Sequence, residues 1–109
     1  MNQLITLNLE HIHAICEVLG VQKLSVFGSV CTPKFHKNSD VDFFVEFKKT
    51  LSIDEYTEFY FELHYQLEAL LNRKVDIVTA NSLHNKYFID SLEKNKTLLY
   101  DRRNQEVFA

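Results

Sequence analysis

Residues 40–47 read DVDFFVEF. Val41, Phe43, Val45 and Phe47 fall on alternate positions, and strict period-two alternation in Val and Phe is the mark of a strand. One face of that strand is wholly apolar and must meet a core. Asp40 and Asp42 stand at i and i+2, so they share the opposite face. Whatever this chain folds into must bury one side of the strand and leave two neighbouring carboxylates at the head of the other.

The rest of the chain supplies elements to do this. Tyr56, Phe59, Tyr60, Leu63, Leu67 and Leu70 form one helical stripe, which predicts a helix from Glu55 to Leu71 with caps in Ser52 and Asp54 and a close at Asn72 and Arg73. Leu9, Ile12, Ile15, Cys16 and Leu19 predict an earlier helix, with Asn8 as N-cap and Gly20 as a left-handed stop. LSVF (residues 24–27) and KVDIVT (residues 74–79) read as strands. A last helix is expected from Asn81 or Ser82 to about Glu93, with Tyr87, Phe88 and Leu92 inward. KTLLYD fits a fourth strand or a helical extension, and RRNQEVFA a loosely attached tail.

The order is helix, strand, Gly-Ser turn, strand, helix, strand, helix. This is an α/β (α+β) pattern, expected as a small mixed sheet with helices mainly on one face. The link between the first two strands is short for a crossover and long for a tight hairpin, so their relative direction stays open.

A chain of 109 residues fits one domain, 1–109, with its core over about 9–100 and a flexible tail from 101 to 109. Its 46% hydrophobic content is enough to close that core without disulfides. Cys16 and Cys31 make no framework and read as reduced thiols. The N-terminal residues lack a signal-peptide pattern, and no run approaches a membrane span, so a cytoplasmic protein is expected. A formal charge of −3 argues against a nucleic-acid partner.

Two like charges side by side repel, and a divalent cation removes the conflict. Mg²⁺ suits it, because it takes carboxylate oxygen and keeps waters for substrate phosphates. Alone, an Asp-x-Asp is also an ordinary strand start. Gly28-Ser29 follows the first strand. Glycine lets a ligand approach the backbone, and exposed N–H groups at such a turn attract anions, the more so if a helical turn begins at Ser29. Asp76 adds a carboxylate from another strand, opposite Val75 and Ile77. Taken alone, it also fits a structural Asp.

Together these make Gly-Ser, ten residues (Val30 to Ser39), Asp-x-Asp and a later strand Asp. At ordinary frequencies, four such fixed positions recur by chance about once in 10⁵ starts. The pattern resembles the DNA polymerase β-like nucleotidyltransferase superfamily, marked by GSx10DxD and a third strand carboxylate. More narrowly it resembles the minimal nucleotidyltransferase (MNT) family, through FGSV, SDVDFFVEF, RKVDIVT and FIDSLEKNKTLLY, from about Leu9 to Tyr100.

The resemblance implies transfer of a nucleoside monophosphate, AMP from ATP, to a hydroxyl with release of pyrophosphate. Asp40, Asp42 and Asp76 would hold two Mg²⁺ ions, and Gly28 and Ser29 the terminal phosphates. Asp76 could also be the general base. The implied partner is a small helical HEPN-domain toxin, with the nucleotidyl group going onto its tyrosine, which makes this chain antitoxin-like. A departure matters. Thr32-Pro33 stands where many MNT proteins have Arg-Gly, which removes a guanidinium and a backbone donor. Lys34 and Lys37 are the nearest cations. Two other readings remain: an idle fold that neutralises a partner by contact, and a transferase for a small molecule or RNA. For the second of these, a partner or a homo-oligomer would have to build the missing acceptor pocket.

The five histidines (His11, His13, His36, His64, His84) show no metal spacing and read as surface or helix-flank residues, with His36 near the nucleotide loop. Phe61 and Tyr65, at i and i+4, lie off the core stripe. They fit a partner surface, or one covered by the last helix or the tail.

Overall fold

The computed structural model describes residues 2–79 and 85–103. In chain order they form α1 (Gln3–Thr6), α2 (Leu9–Val18), β1 (Val21–Phe27), a 3₁₀ turn (Gly28–Cys31), β2 (Val41–Phe47), α3 (Ile53–Leu71), β3 (Val75–Thr79), α4 (Lys86–Asn95) and β4 (Thr97–Asp101). The strands form one sheet in the order β3-β2-β1-β4. β1 pairs antiparallel with both β2 and β4, and β2 pairs parallel with β3, so the expected mixed sheet is found.

α3 carries the clearest local signals. Ser52 accepts from the Glu55 backbone N–H at 3.1 Å, and the Glu55 carboxylate accepts from the Ser52 N–H at 2.9 Å, a complete capping box. Its last carbonyls are released at Asn72, which takes the left-handed conformation at φ 53°. Leu63 and Leu67 of the apolar stripe are buried, while at its end Leu71 is buried and Leu70 only partly so. Gly20 follows α2 at φ 67°, as its position after the helix demands.

Val41, Phe43, Val45 and Phe47 are all buried, in one cluster with Ile12 and Cys16 of α2 and Leu67 of α3. Each such side chain stabilises the fold by about 1.5–3 kcal/mol relative to an exposed position. The opposite face carries Asp42, Phe44 and, across β1, Phe27. α4 lies on that face, with Phe88 edge-on to Phe27 at 6.2 Å. The first three helices thus share one face and α4 takes the other.

Several expectations are corrected. β1 starts at Val21 rather than Leu24. α1 adds the fully buried Ile5 ahead of the expected core boundary at Leu9. Of the three α4 residues expected inward, Leu92 is buried, Phe88 is only partly covered and Tyr87 is exposed. KTLLYD is a strand, held against β1. The tail is not loose at its start: Asp101 is buried in β4, and Arg102 donates to the carbonyls of Val21, Cys16 and Glu17. The expected helix start at Asn81 or Ser82, His84, and residues 104–109 lie outside the described residues; α4 is capped by Asn85, which accepts from Tyr87 and Phe88 N–H groups. No described helix is long and apolar enough to cross a membrane.

Candidate active site

The sheet brings three sequence-distant pieces together. Antiparallel pairing sets Phe27, the last residue of β1, opposite Asp42. Parallel pairing sets Asp76 opposite Asp42 on the other side. The Gly28 turn, Asp42 and Asp76 therefore follow one another across β1, β2 and β3, with Asp40 just ahead of β2.

The Gly28 turn closes over Asp42. Gly28 has φ 75°, a region L side chains avoid, and a Cβ built there would overlap the Asp42 Oδ2. Only glycine lets the backbone lie this close to that carboxylate. The helical turn that follows is short. Thr32 is extended, as the residue before a proline tends to be, so Pro33 limits the turn to Gly28–Cys31. Thr32 folds back on it, its N–H and hydroxyl both donating to the Ser29 carbonyl at 2.9 Å. Thr32-Pro33, at the position of the Arg-Gly departure, thus closes a single 3₁₀ turn.

The carboxylates repel. The Asp42 carboxyl is pushed above the usual range, first by burial and then by the charges of Asp76 and Asp40; it also lies within hydrogen-bonding reach of Asp76. Asp76 itself is exposed and Asp40 partly so. This is an all-oxygen, anionic donor set open to solvent on one side. It fits a hard cation that keeps waters and phosphate oxygens as its other ligands. Among the described residues, no three His, Cys, Asp or Glu side chains already converge as a closed metal cage. The arrangement is a close pair, Asp42 and Asp76, flanked by Asp40.

The loop before Asp40 is ordered by its own contacts. His36 N–H donates to the Ser39 hydroxyl, Ser39 N–H to the His36 carbonyl, and Asn38 N–H to the His36 ring. His36, which sequence placed near the nucleotide, is thus part of this turn. Lys34 and Lys37 are exposed on the same loop. His13 and His64 are built in as well: their Nε2 atoms bond the carbonyls of Leu99 and Val75. Cys16 is buried with its thiol pushed up to about 12, chiefly by burial, and Cys31 is exposed; both are free.

Beyond the site, Phe61 and Tyr65 are 65% and 68% exposed, so α4 does not cover them. With Tyr56, Thr57, Tyr60, Ile77 and Thr79, Phe61 lines a cavity of about 290 Å³ along α3 and β3.

Comparison with known proteins identifies the class. Residues 10–105 match the family described as Polymerase beta, Nucleotidyltransferase, and the chain belongs to it. It is 30% identical over 86 residues to the "Putative protein adenylyltransferase MJ1217" of Methanocaldococcus jannaschii, covering 79% of this chain and 84% of the relative. It is 37% identical over 73 residues to the protein adenylyltransferase MntA of Thermococcus cleftensis, covering 67% of this chain and 70% of the relative. A crystal structure of a toxin–antitoxin pair with AMP-PNP superposes with TM-score 0.67 at 25% identity, over 94% of this chain and 81% of the other. The fold also matches a chain of the tri-AMPylated Shewanella oneidensis HEPN toxin in complex with MNT antitoxin, with TM-score 0.60 at 23% identity, over 94% and 78%.

Arg73 is the residue whose part in the site sequence reasoning missed. It read as a helix terminator, yet its guanidinium reaches back to the loop that leads into Asp40.

Proposed function

We propose that this nucleotidyltransferase moves AMP from ATP onto a hydroxyl of a helical HEPN-type toxin, a tyrosine side chain, and so acts as an antitoxin. The observation that carries the reading is the alignment of the Gly28 turn, Asp42 and Asp76 across neighbouring strands. It is supported by the adenylyltransferase relatives and by the toxin–antitoxin structures that share the fold.

In the transfer, the acceptor oxygen forms a bond to the α-phosphorus as the bond to the pyrophosphate oxygen breaks. The hydroxyl proton leaves to a base. Asp40 and Asp42 would hold Mg²⁺, and Asp76 would complete a second site; ligand and base are both open to it. When bound, the cations neutralise the triphosphate and acidify the attacking hydroxyl. The backbone at Gly28 and Ser29 would hold the pyrophosphate, a role supported by the Gly28 turn bordering Asp42 with no Cβ between them. The exposed aromatics of α3, Phe61 and Tyr65, supply a face for the partner.

A second reading is favoured by one feature. Pro33 shortens the turn after Gly-Ser and removes a donor, which weakens triphosphate binding. A chain that only contacts its partner would tolerate that loss.

Calorimetric titration with ATP, with and without Mg²⁺, separates the two when run beside Asp42→Asn. Transfer requires Mg²⁺-dependent binding that the variant loses. A variant that binds Mg²⁺-ATP like the wild type removes Asp42 from the site, and no binding by either, even with the partner present, favours the contact-only reading.

A further inference from the structure

We infer that Arg73 is a positioning residue for Asp40, tying the backbone ahead of that carboxylate to the strand that carries Asp76; this rests on the active-site reading above. Arg73 lies between α3 and β3, three residues before Asp76. Its Nη1 donates to two carbonyls of the preceding loop, His36 at 3.1 Å and Ser39 at 2.9 Å. Its guanidinium lies over the Phe35 ring, 4.5 Å from the centroid. The next residue adds a second tether, as the Lys74 carbonyl accepts from Val41 N–H at 3.1 Å.

Asp40 is therefore held from both sides. Ser39 is bound by Arg73 and Val41 by Lys74, and both tethers come from one dipeptide at the start of β3. The consequence is rigidity where the site needs it. Among the described residues the carboxylates do not form a closed cage, so Asp40 would have to settle toward Asp42 and Asp76 to hold a cation with them. Less conformational freedom is lost in that step if the Asp40 backbone is already fixed.

The chemistry demands arginine. Nη1 alone, with its two N–H groups, serves both carbonyls while the guanidinium carbon lies over Phe35, whereas a lysine ammonium is a compact point charge that lacks the extended group to keep ring and carbonyls together. The Arg73 Nε is buried with no hydrogen-bond partner, so the side chain is held in this pose although one donor goes unsatisfied. A residue serving only to end α3 would have no use for it. Asn72 performs that ending through its left-handed conformation.

The test uses the full chain and the variants Arg73→Lys, Arg73→Ala, Asp40→Asn and the double variant Arg73→Lys/Asp40→Asn. Residue-resolved amide exchange should show the Ser39 and Val41 amides of Arg73→Lys exchanging about tenfold faster, with α3 unchanged. Calorimetry with ATP and Mn²⁺ should show the metal concentration for half-maximal binding rising about tenfold. Because Arg73 acts through Asp40, that rise should largely vanish when Asp40 is already Asn.

Unchanged exchange at Ser39 and Val41 overturns the inference whatever the nucleotide does. Faster exchange with an unchanged metal dependence, or with effects additive to those of Asp40→Asn, overturns it too and leaves Arg73 as a brace for the loop. A wild type without metal-dependent binding overturns the active-site reading itself, and the inference falls with it; that failure is told apart because it appears before any substitution. Should Arg73→Ala not fold, Arg73→Lys, which keeps the charge and the stem, carries the comparison.

Discussion

Glu55 and Asp42 lie in one small domain and are treated in opposite ways. Glu55, at the start of α3, is held below the usual carboxylate range by the hydrogen bonds it accepts from Ser52. Asp42 is pushed above that range by burial and by Asp76 and Asp40. At α3 every local preference agrees with the fold: capping box, apolar stripe, left-handed stop. Between Gly28 and Asp42 they conflict, with a positive φ and carboxylates that repel. Natural chains carry such conflict where they bind or react, because a ligand relieves it.

The largest effect should come from the consistent region. Leu67 is fully buried in the core. Leu67→Ala should cost about 2–5 kcal/mol in denaturant unfolding, while nucleotide affinity of the folded fraction is retained. Gly28→Ala should do the reverse. The strained φ costs roughly 1–2 kcal/mol, and the new Cβ must push the Asp42 carboxylate aside. Mg²⁺-ATP binding should then drop by at least about tenfold, since a misplaced ligand loses more than the strain alone. If Gly28→Ala binds normally, the close approach of the turn to Asp42 has no functional role. Next in size is Ser52→Ala, expected to cost about 1 kcal/mol through the lost cap, with nucleotide binding unchanged.

Much of this was legible in the sequence, for different reasons in different places. Strand β2 was readable because alternation fixes which face is buried, and α3 because a stripe and caps agree over many residues. Asp40, Asp42, Asp76, Gly28 and Ser29 were readable as a spacing. What periodicity does not carry is which strand lies beside which. That Asp76 stands directly opposite Asp42, and that β4 returns to the far side of β1, follow from pairing and not from pattern. The four residues of α1 are too few for a helical period to show. Arg73 was hidden for another reason: its part depends on two backbone carbonyls far away in sequence, which no side-chain pattern records.

The smallest expected effect has the opposite sign. The pKa of Asp42 is higher in the folded chain than in the unfolded one. Between the ordinary carboxylate range and that raised value, the folded state binds more protons than the unfolded state. Stability from this group is therefore present at low pH and lost as pH rises through the window. Above that window the loss is complete, and there Asp42→Asn should raise the melting temperature slightly while it abolishes metal-dependent nucleotide binding. The gain should shrink as pH falls through the window, because protonated Asp42 buries no charge and no longer repels Asp76 and Asp40. Glu55 runs the other way: its contribution is present above the ordinary value and is lost as pH falls through its lowered pKa. Melting curves of wild type, Asp42→Asn and Ser52→Ala across the acid range would show both trends. An Asp42→Asn gain that persists unchanged into acid would mean that the buried charge of Asp42 and its repulsion by Asp76 and Asp40 are not what destabilises the site.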